Sequence, residues 1–305
     1  YVDALINDIE VHRRQIQDRV IQTMFFGGGT PSVFEPVLIG KIINYVKDNF
    51  TLSIDAEITL EANPGASDRI KFEGYRKVGV NRLSIGLQTT QDHLLAKLGR
   101  AHSGHEAINA LSEAKKIFDN INVDLMFALP GQQIDELRRD LSGVLEFVPE
   151  HLSIYQLTIE PNTWFYRYPP KLPDDDLASE MQFEIESIVN ECGYYQYEVS
   201  AFSKPDRQCS HNINYWKFGD YVGIGAGAHS KLSGTQGVTR MVKYKQPKRY
   251  MDGVFSGDAI LSSQIIDSES LPFEFFMNAL RLNSGVSAEL FEKRTGLPVN
   301  VVDSH

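Results

Sequence analysis

Alternating apolar and polar residues recur along the first half of the chain, with helix-like segments between them. Three such stretches begin near Ile54, Leu83 and Ile121, and their period of two residues is typical of β-strands. Among the helical segments, one is predicted to begin at a Ser103–Glu106 capping box and another to be capped by Ser67. This alternation of strand and helix predicts an α/β fold with a parallel sheet and crossover helices.

Polar residues lie near the carboxyl ends of these three strands. Glu61, Gln88 and Asp124 hold these positions. Parallel strands that are buried on both faces normally read as continuous apolar runs, so the alternation predicts a sheet that curls around a polar interior. Barrel enzymes keep their functional groups at this end of the strands. The alternative is a sheet whose polar face meets solvent.

The pattern changes after Pro161. A loop there is predicted to lead into a helix that ends near Glu191, and a single strand is predicted over about Tyr195 to Ala201. Glycine-rich and basic loops follow, and the chain becomes helical again from about Leu271. We therefore predict two domains: residues 1–235, and a linker with the start of a small, truncated C-terminal domain over residues 236–305.

Composition excludes several classes of function. With 30 basic and 40 acidic residues among 305, the formal net charge of −10 opposes binding to nucleic acid or anionic membranes through bulk charge. No apolar run reaches the ~18 residues of a membrane span. The two cysteines, Cys192 and Cys209, exclude a disulfide scaffold and indicate a reducing compartment, the cytoplasm.

A run of three glycines is the sharpest local motif. Gly27-Gly28-Gly29 follows an apolar run and precedes Thr30-Pro31. Without Cβ atoms, such a loop lets a ligand approach the backbone N–H groups closely. It matches neither the dinucleotide fingerprint nor the phosphate-binding P-loop. A plain tight turn is the alternative.

Other candidates carry alternatives of their own. Glu61 can accept hydrogen bonds from ribose hydroxyls or act as a helix cap, and Arg100 can bind a carboxylate or lie solvated at the surface. The run from Gly223 to Ala228 fits Gly-x-Gly-x-x-Ala, but no helix opening or later acid supports a Rossmann site. The segment from Cys209 to Trp216 groups ligand-type and aromatic residues, but one cysteine and one histidine, His211, cannot complete a tetrahedral zinc site. The alternative is a buried, hydrogen-bonded His211 near an aromatic cluster.

Taken together and in order, these segments resemble the radical S-adenosylmethionine (SAM) enzymes. The resemblance covers nearly the whole chain and is greatest to the oxygen-independent coproporphyrinogen III oxidase group, within it to the HemW-type haem chaperones. The segments that carry it are Phe25-Phe-Gly-Gly-Gly-Thr-Pro-Ser32, Glu61-Ala-Asn-Pro-Gly65, Asn81-Arg-Leu-Ser-Ile-Gly-Leu-Gln88, Leu98-Gly-Arg-Ala-His102, Asn122-Val-Asp-Leu-Met-Phe-Ala-Leu-Pro-Gly131, His151-Leu-Ser-Ile-Tyr155, His211-Asn-Ile-Asn-Tyr-Trp216 and Gly223-Ile-Gly-Ala-Gly-Ala-His229.

The resemblance implies a fold and a set of binding residues. The fold would be a partial (β/α)6 barrel that lacks its first strand, with a C-terminal α+β extension. Residues implied to bind SAM are Gly28, Gly29, Thr30 and Glu61, with Gln88, Arg100 and Asp124 at positions that contact a second SAM. His211 is implied to bind haem iron, and no catalytic residue is assigned.

One part of the family pattern is missing. The [4Fe–4S] cluster of the family is held by a Cys-x3-Cys-x2-Cys loop, and neither Cys192 nor Cys209 matches it. Its ligands are expected upstream of Tyr1, so we expect this chain alone neither to hold the cluster nor to cleave SAM reductively.

Two functions follow from the resemblance. The His-Asn-x-x-Tyr-Trp segment favours a haem chaperone that delivers haem to haem proteins. The alternative is an enzyme of porphyrin biosynthesis that decarboxylates coproporphyrinogen III oxidatively to protoporphyrinogen IX. A radical SAM enzyme that acts on another substrate is a third hypothesis.

Overall fold

The computed structural model describes residues 1–65 and 68–304, so the predicted N-cap at Ser67 lies outside the described residues. The chain divides into two compact units. The terminal unit contains Tyr1–Thr23, Leu38–Ala56 and Ser210–His305, and the central unit contains Met24–Val37 and Glu57–Cys209.

Seven strands form one sheet in the order β1-β2-β3-β4-β5-β7-β6. They are β1 (Val20–Phe26), β2 (Thr51–Ala62), β3 (Arg82–Gln88), β4 (Ile121–Phe127), β5 (His151–Gln156), β6 (Tyr195–Glu198) and β7 (Ala201–Ser203). Strands β2 to β5 pair in parallel, as predicted, while β7 is antiparallel to both β5 and β6.

The single strand predicted from Tyr195 to Ala201 is wrong, because the chain turns back on itself there. The side chain of Glu198 accepts hydrogen bonds from the backbone N–H and the hydroxyl of Ser200, at 3.2 and 3.1 Å. These local bonds stabilise a tight turn, a known property of acidic and hydroxyl side chains. The result is the β6–β7 hairpin.

Helices lie between the parallel strands and through the second half of the chain. They are α1 (Val2–Val11), α2 (Arg13–Ile16), α3 (Pro36–Asn49), α4 (Asp68–Val78), α5 (Asp92–Lys97), α6 (Gly104–Ile117), α7 (Ile134–Leu145), α8 (Trp164–Arg167), α9 (Asp175–Glu191), α10 (Ser210–Trp216), α11 (Pro247–Ser256), α12 (Leu271–Ala279) and α13 (Ala288–Thr295). Short 3-10 helices occupy Pro31–Val33 and Val299–Ser304. The capping box predicted for α6 is confirmed, since Ser103 and Glu106 exchange hydrogen bonds.

Both faces of β3 are buried. All seven residues of β3 are buried, although its polar residues share one face and its apolar residues the other. On the polar face the register aligns Glu61 with Ser84, Ser84 with Asn122 and Asn122 with His151. A solvent-facing polar surface is therefore excluded for β3, and the predicted polar interior is confirmed there.

A second, three-stranded antiparallel sheet belongs to the terminal unit. Its strands are β8 (His229–Gly234), β9 (Gly237–Lys243) and β10 (Ile260–Ile265), in the order β10-β9-β8. The prediction of loops over this region is wrong. The domain boundary predicted between residues 235 and 236 falls in the turn of the β8–β9 hairpin, where Gly234 faces Gly237. The helix predicted from Leu271 is confirmed as α12.

In the part of the chain that the structure describes, none of the helices combines the length and the apolar character needed to cross a bilayer.

Candidate functional site

The glycine run after β1 lies against the carboxylate of Glu61. The backbone N–H of Gly28 donates a hydrogen bond to Glu61 Oε2 at 3.1 Å. A Cβ on Gly27 would lie 2.6 Å from Phe25 Cε1 and 2.9 Å from Glu61 Oε1, so a larger residue here would displace one of these side chains. Gly28 also has a φ of +110°, whereas a Cβ on Gly29 would have no atom within 4 Å. The loop is therefore open backbone beside a carboxylate, which a plain tight turn does not require.

Three polar side chains continue from this loop. Asn63 Nδ2 donates to Thr30 Oγ1 at 3.2 Å, and Arg100 Nη1 donates to Asn63 Oδ1 at 3.2 Å. Burial lowers the pKa of Arg100, opposed by the nearby charge of Asp124. Arg100 is thus half-buried rather than solvated at the surface. Asn63 was not predicted as a site residue, although its position two residues after Glu61 is a usable signal.

Gln88 ends β3 in an unusual backbone conformation. Its φ is +68°, in the left-handed region that non-glycine residues rarely adopt, and its side chain is buried. Such strain costs about 1–3 kcal/mol and clusters at functional sites. A Cβ on Gly86 would lie 3.0 Å from Asn63 Oδ1 and 3.1 Å from Gln88 Nε2, so this glycine leaves room for both amides.

Asp124 brings a second carboxylate to this side of the sheet. It accepts hydrogen bonds from Asn122 Nδ2 at 2.8 Å and from Ser84 Oγ at 3.2 Å. Burial raises the pKa of Asp124, and these hydrogen bonds oppose the shift. Burial likewise raises the pKa of Glu61, opposed by the Gly28 N–H and reinforced by the charge of Asp124. Two carboxylates in one polar interior suit a ligand that carries positive charge.

A buried hydrogen-bond network orients the Asn122 side chain so that its Nδ2 donates to Asp124. Asn122 Oδ1 lies 2.6 Å from His151 Nδ1 and accepts from Ser153 Oγ at 2.9 Å. His151 Nε2 lies 2.8 Å from the hydroxyl of Tyr197. Burial, with Arg82 nearby, holds the pKa of His151 well below its ordinary value, so the ring is neutral. A neutral ring satisfies both contacts when Nδ1 donates to Asn122 and Nε2 accepts from Tyr197.

His211 belongs to the terminal unit, whereas the other predicted site residues belong to the central unit. It lies in α10, half-buried, and its Nδ1 is 3.4 Å from Thr23 Oγ1. Its ring meets that of Tyr215 edge-on, with centroids 4.6 Å apart, and Tyr215 in turn meets Tyr221 at 4.5 Å. The predicted aromatic surroundings of this histidine are therefore present.

The second glycine motif packs within the terminal unit. The N–H of Gly225 donates to Asp8 Oδ2 at 3.3 Å, and the N–H of Ala226 donates to the hydroxyl of Tyr1 at 3.1 Å. The motif leads into strand β8 rather than a helix. Its structure agrees with the rejection of a Rossmann site at the sequence level.

Comparison with known proteins identifies the family. The pattern of the Radical SAM superfamily matches residues 4–142, and that of the HemN C-terminal domain matches residues 266–303. Heme chaperone HemW of Escherichia coli (strain K12) is 41% identical over 304 residues, which cover 99% of this chain and 79% of that protein. This chain belongs to the HemW family. HemW of Bacillus subtilis (strain 168) is 34% identical over 90% of this chain and 74% of its own length.

A solved structure confirms the fold class expected for a HemW-family protein. Coproporphyrinogen III oxidase (HemN) from Escherichia coli, described as a radical SAM enzyme, superposes with a TM-score of 0.83 over 100% of this chain and 73% of that one. Its sequence identity is 22%, so this likeness concerns the fold. The chain is an α/β protein with a partial radical SAM barrel. Family relationship favours HemW over the oxidase, because the HemW relatives are much more similar in sequence.

Membership of the radical SAM superfamily implies SAM and a [4Fe–4S] cluster as cofactors. The open backbone at Gly29 and the Glu61 carboxylate fit SAM. The cluster does not fit the residues present: Cys192 is exposed, Cys209 is buried with its Sγ 3.6 Å from Glu57 Oε1, and a three-cysteine loop is required. Within residues 1–65 and 68–304, no group of three or more His, Cys, Asp or Glu side chains is arranged to hold a metal ion.

Proposed function

We propose that this HemW-family protein binds haem for delivery to haem proteins and binds SAM in its central unit. The observation that carries the proposal is the 41% identity to Heme chaperone HemW over 99% of the chain. The haem-accepting proteins and a cytoplasmic location are part of the same proposal.

In this proposal the central unit binds SAM through its own polar interior. Gly28, Gly29 and Thr30 lie along the nucleoside, and the Glu61 carboxylate accepts hydrogen bonds from the ribose hydroxyls. Gln88, Arg100 and Asp124 serve a second SAM. The guanidinium of Arg100 suits the carboxylate of the methionine moiety, while Asp124 suits a positively charged group.

SAM and the cluster supply the radical chemistry of the superfamily when both are bound. In the part of the chain that the structure describes, the residues do not form a cluster site. What these residues contribute is binding and orientation of SAM.

His211 is the proposed iron ligand for haem. Neutral imidazole is a common haem ligand, and the edge-on contact with Tyr215 orients the ring. In the full-length protein, His211→Ala is expected to change the Soret band of added ferric haem. It should weaken binding by more than about tenfold, since even second-shell partners of metal ligands contribute about 10- to 100-fold in affinity.

The control is His105→Ala, which removes an exposed histidine on α6 and should leave haem binding unchanged. Unchanged spectra and affinity in His211→Ala would remove His211 from this role. Product analysis with coproporphyrinogen III tests the alternative, because formation of protoporphyrinogen IX would favour the oxidase over the chaperone.

A further inference from the structure

Three large aromatic side chains lie exposed on a short turn after β5. Trp164, Tyr166 and Tyr168 are 71%, 62% and 50% exposed. The rings of Trp164 and Tyr168 lie side by side, with centroids 4.3 Å apart and planes inclined by 43°. Large contiguous apolar patches on a folded protein mark interaction sites, whereas apolar residues exposed singly need no explanation. We call residues 163–168 the aromatic turn.

The aromatic turn is held in place by its own backbone. The hydroxyl of Thr163 donates to the carbonyl of Glu160 at 2.6 Å and accepts from the N–H of Tyr166 at 3.2 Å, which caps α8. Phe165 points the other way and packs, together with Leu172, against a buried apolar cluster. The three exposed rings are thus presented on a preformed support, which lowers the entropy cost of binding.

That support places the turn at the carboxyl edge of the parallel strands. The cluster beneath Phe165 is built on Leu94, Leu129 and Leu157, and Met126 packs against it from the end of β4. Met126 is two residues beyond Asp124 on the same strand. The aromatic turn and the proposed SAM residues therefore lie at the same edge of the sheet, all within the central unit.

Two cations lie close in sequence to the exposed rings. Arg167 and Lys171 are the charged residues of 161–173, and the acids Glu160 and Asp174 to Asp176 lie on either side of that stretch. The guanidinium of Arg167 lies 5.5 Å from the centre of the Tyr168 ring. A flat aromatic ligand that carries carboxylates matches this combination of exposed rings and cations.

We propose that the aromatic turn binds the face of a porphyrin macrocycle, with Arg167 and Lys171 near its propionates. This rests on the proposed haem function and adds a surface that acts without the iron. In this proposal Trp164 and Tyr168 contact the ring system of the porphyrin, and that contact needs no iron.

Metal-free protoporphyrin IX tests the aromatic turn separately from iron ligation, because it has no iron for His211 to bind. Binding to the full-length protein is followed by the fluorescence of the porphyrin. The double variant Trp164→Ala/Tyr168→Ala should lose about tenfold in affinity, the equivalent of two aromatic contacts. The matched control is Phe183→Ala, which removes an aromatic residue of α9 that is 72% exposed.

The charged residues have their own test. Arg167→Gln/Lys171→Gln should weaken binding of protoporphyrin IX several-fold but leave binding of its dimethyl ester unchanged, since the ester has no propionate charge. Unfolding midpoints of all variants should match that of the unaltered protein, because the replaced side chains are exposed or half-buried.

The outcomes distinguish this inference from the proposed function. If the unaltered protein does not bind ferric haem, the proposed function fails. If it binds haem and protoporphyrin, and the Trp164/Tyr168 double variant binds both equally tightly, the aromatic turn is not a porphyrin surface. If Phe183→Ala lost affinity for protoporphyrin as much as the double variant did, the loss would not be specific to the aromatic turn, and the inference would be overturned in the same way.

Discussion

His151 shows how one buried side chain sets a pH dependence. Its ring is fully buried and neutral, and its pKa lies well below the ordinary value of 6.5. The unfolded chain therefore binds a proton at His151 more readily than the folded chain does. Stability from this residue is present above about pH 6.5 and is lost as the pH falls below it, at up to about 1.4 kcal/mol per pH unit.

His151→Gln should remove this part of the pH dependence. The free energy of unfolding, measured by urea titration from about pH 7 to pH 5, should fall less steeply in the variant than in the unaltered protein. The exposed His105 supplies the comparison, and His105→Gln should keep the original slope. Parallel slopes for the His151 variant and the unaltered protein would show that His151 titrates normally in the folded state.

At the scale of single residues, strand ends and family resemblance predicted several site residues. Residues whose importance depends on contacts across the sheet were not predicted. Glu61, Gln88 and Asp124 follow from the ends of alternating strands. Asn122 and His151 were missed because their importance depends on the register that aligns them across β4 and β5. The positive φ of Gln88 was also invisible, since nothing in its sequence distinguishes it from an ordinary strand residue.

At the scale of elements, two glycines of the loop after β1 have different roles. One adopts a backbone conformation that favours glycine, and the other leaves open space beside the backbone. Gly28 has a positive φ, which favours glycine. The φ of Gly29 lies outside that region, and a Cβ on Gly29 would have no atom within 4 Å. Gly29→Ala should thus change the free energy of unfolding by less than about 0.5 kcal/mol. If SAM lies against this backbone, as proposed, the added methyl group should still weaken SAM binding by about tenfold, measured by calorimetry on the full-length protein.

Glu61→Gln serves as the reference for that experiment. It removes the carboxylate charge from hydrogen bonds to the ribose, each of which contributes about 1.5–3 kcal/mol when a charged group takes part. If Glu61→Gln lost affinity while Gly29→Ala bound SAM normally, the open space at Gly29 would not belong to the ligand.

Elements were predicted best where the buried face is apolar. The strands of the first half follow this rule, and β8 does not. Its buried residues include Ser230 and Lys231, and the ammonium group of Lys231 pairs with Asp220 at 3.0 Å. A buried lysine is stable only with such a partner, and a sequence pattern does not reveal that the partner is there. This is why β8 was predicted as a loop.

For the whole molecule, the terminal unit draws on both ends of the chain. Asp8 of α1 is buried and pairs with the buried Lys243 of β9, and it accepts a hydrogen bond from the Tyr250 hydroxyl at 2.7 Å. More than 200 residues separate these partners in sequence. Prediction in chain order placed α1 in one domain and Lys243 in another, because periodicity carries no information on contacts at that distance.

Helix α1 carries two aspartates that pair with lysines, and they should differ greatly in their effect on stability. The Asp3–Lys41 pair is exposed, with an oxygen–nitrogen distance of 2.5 Å, whereas both partners of Asp8–Lys243 are buried. Asp8→Ala leaves a buried ammonium group without its partner, which costs about 3–5 kcal/mol in the free energy of unfolding. Asp3→Ala should cost far less, because a solvent-exposed ion pair contributes little to stability.

The double variant Asp8→Leu/Lys243→Met tests the cause of that loss. Replacing both charges with apolar groups removes the unpaired ammonium group, so most of the stability lost in Asp8→Ala should return. Urea unfolding of the three variants beside the unaltered protein measures these differences. Equal small losses for Asp3→Ala and Asp8→Ala would mean that water reaches Lys243 in solution. A double variant as unstable as Asp8→Ala would assign the loss to the hydrogen bonds that Tyr250 and Gly225 donate to Asp8, rather than to the charge of Lys243.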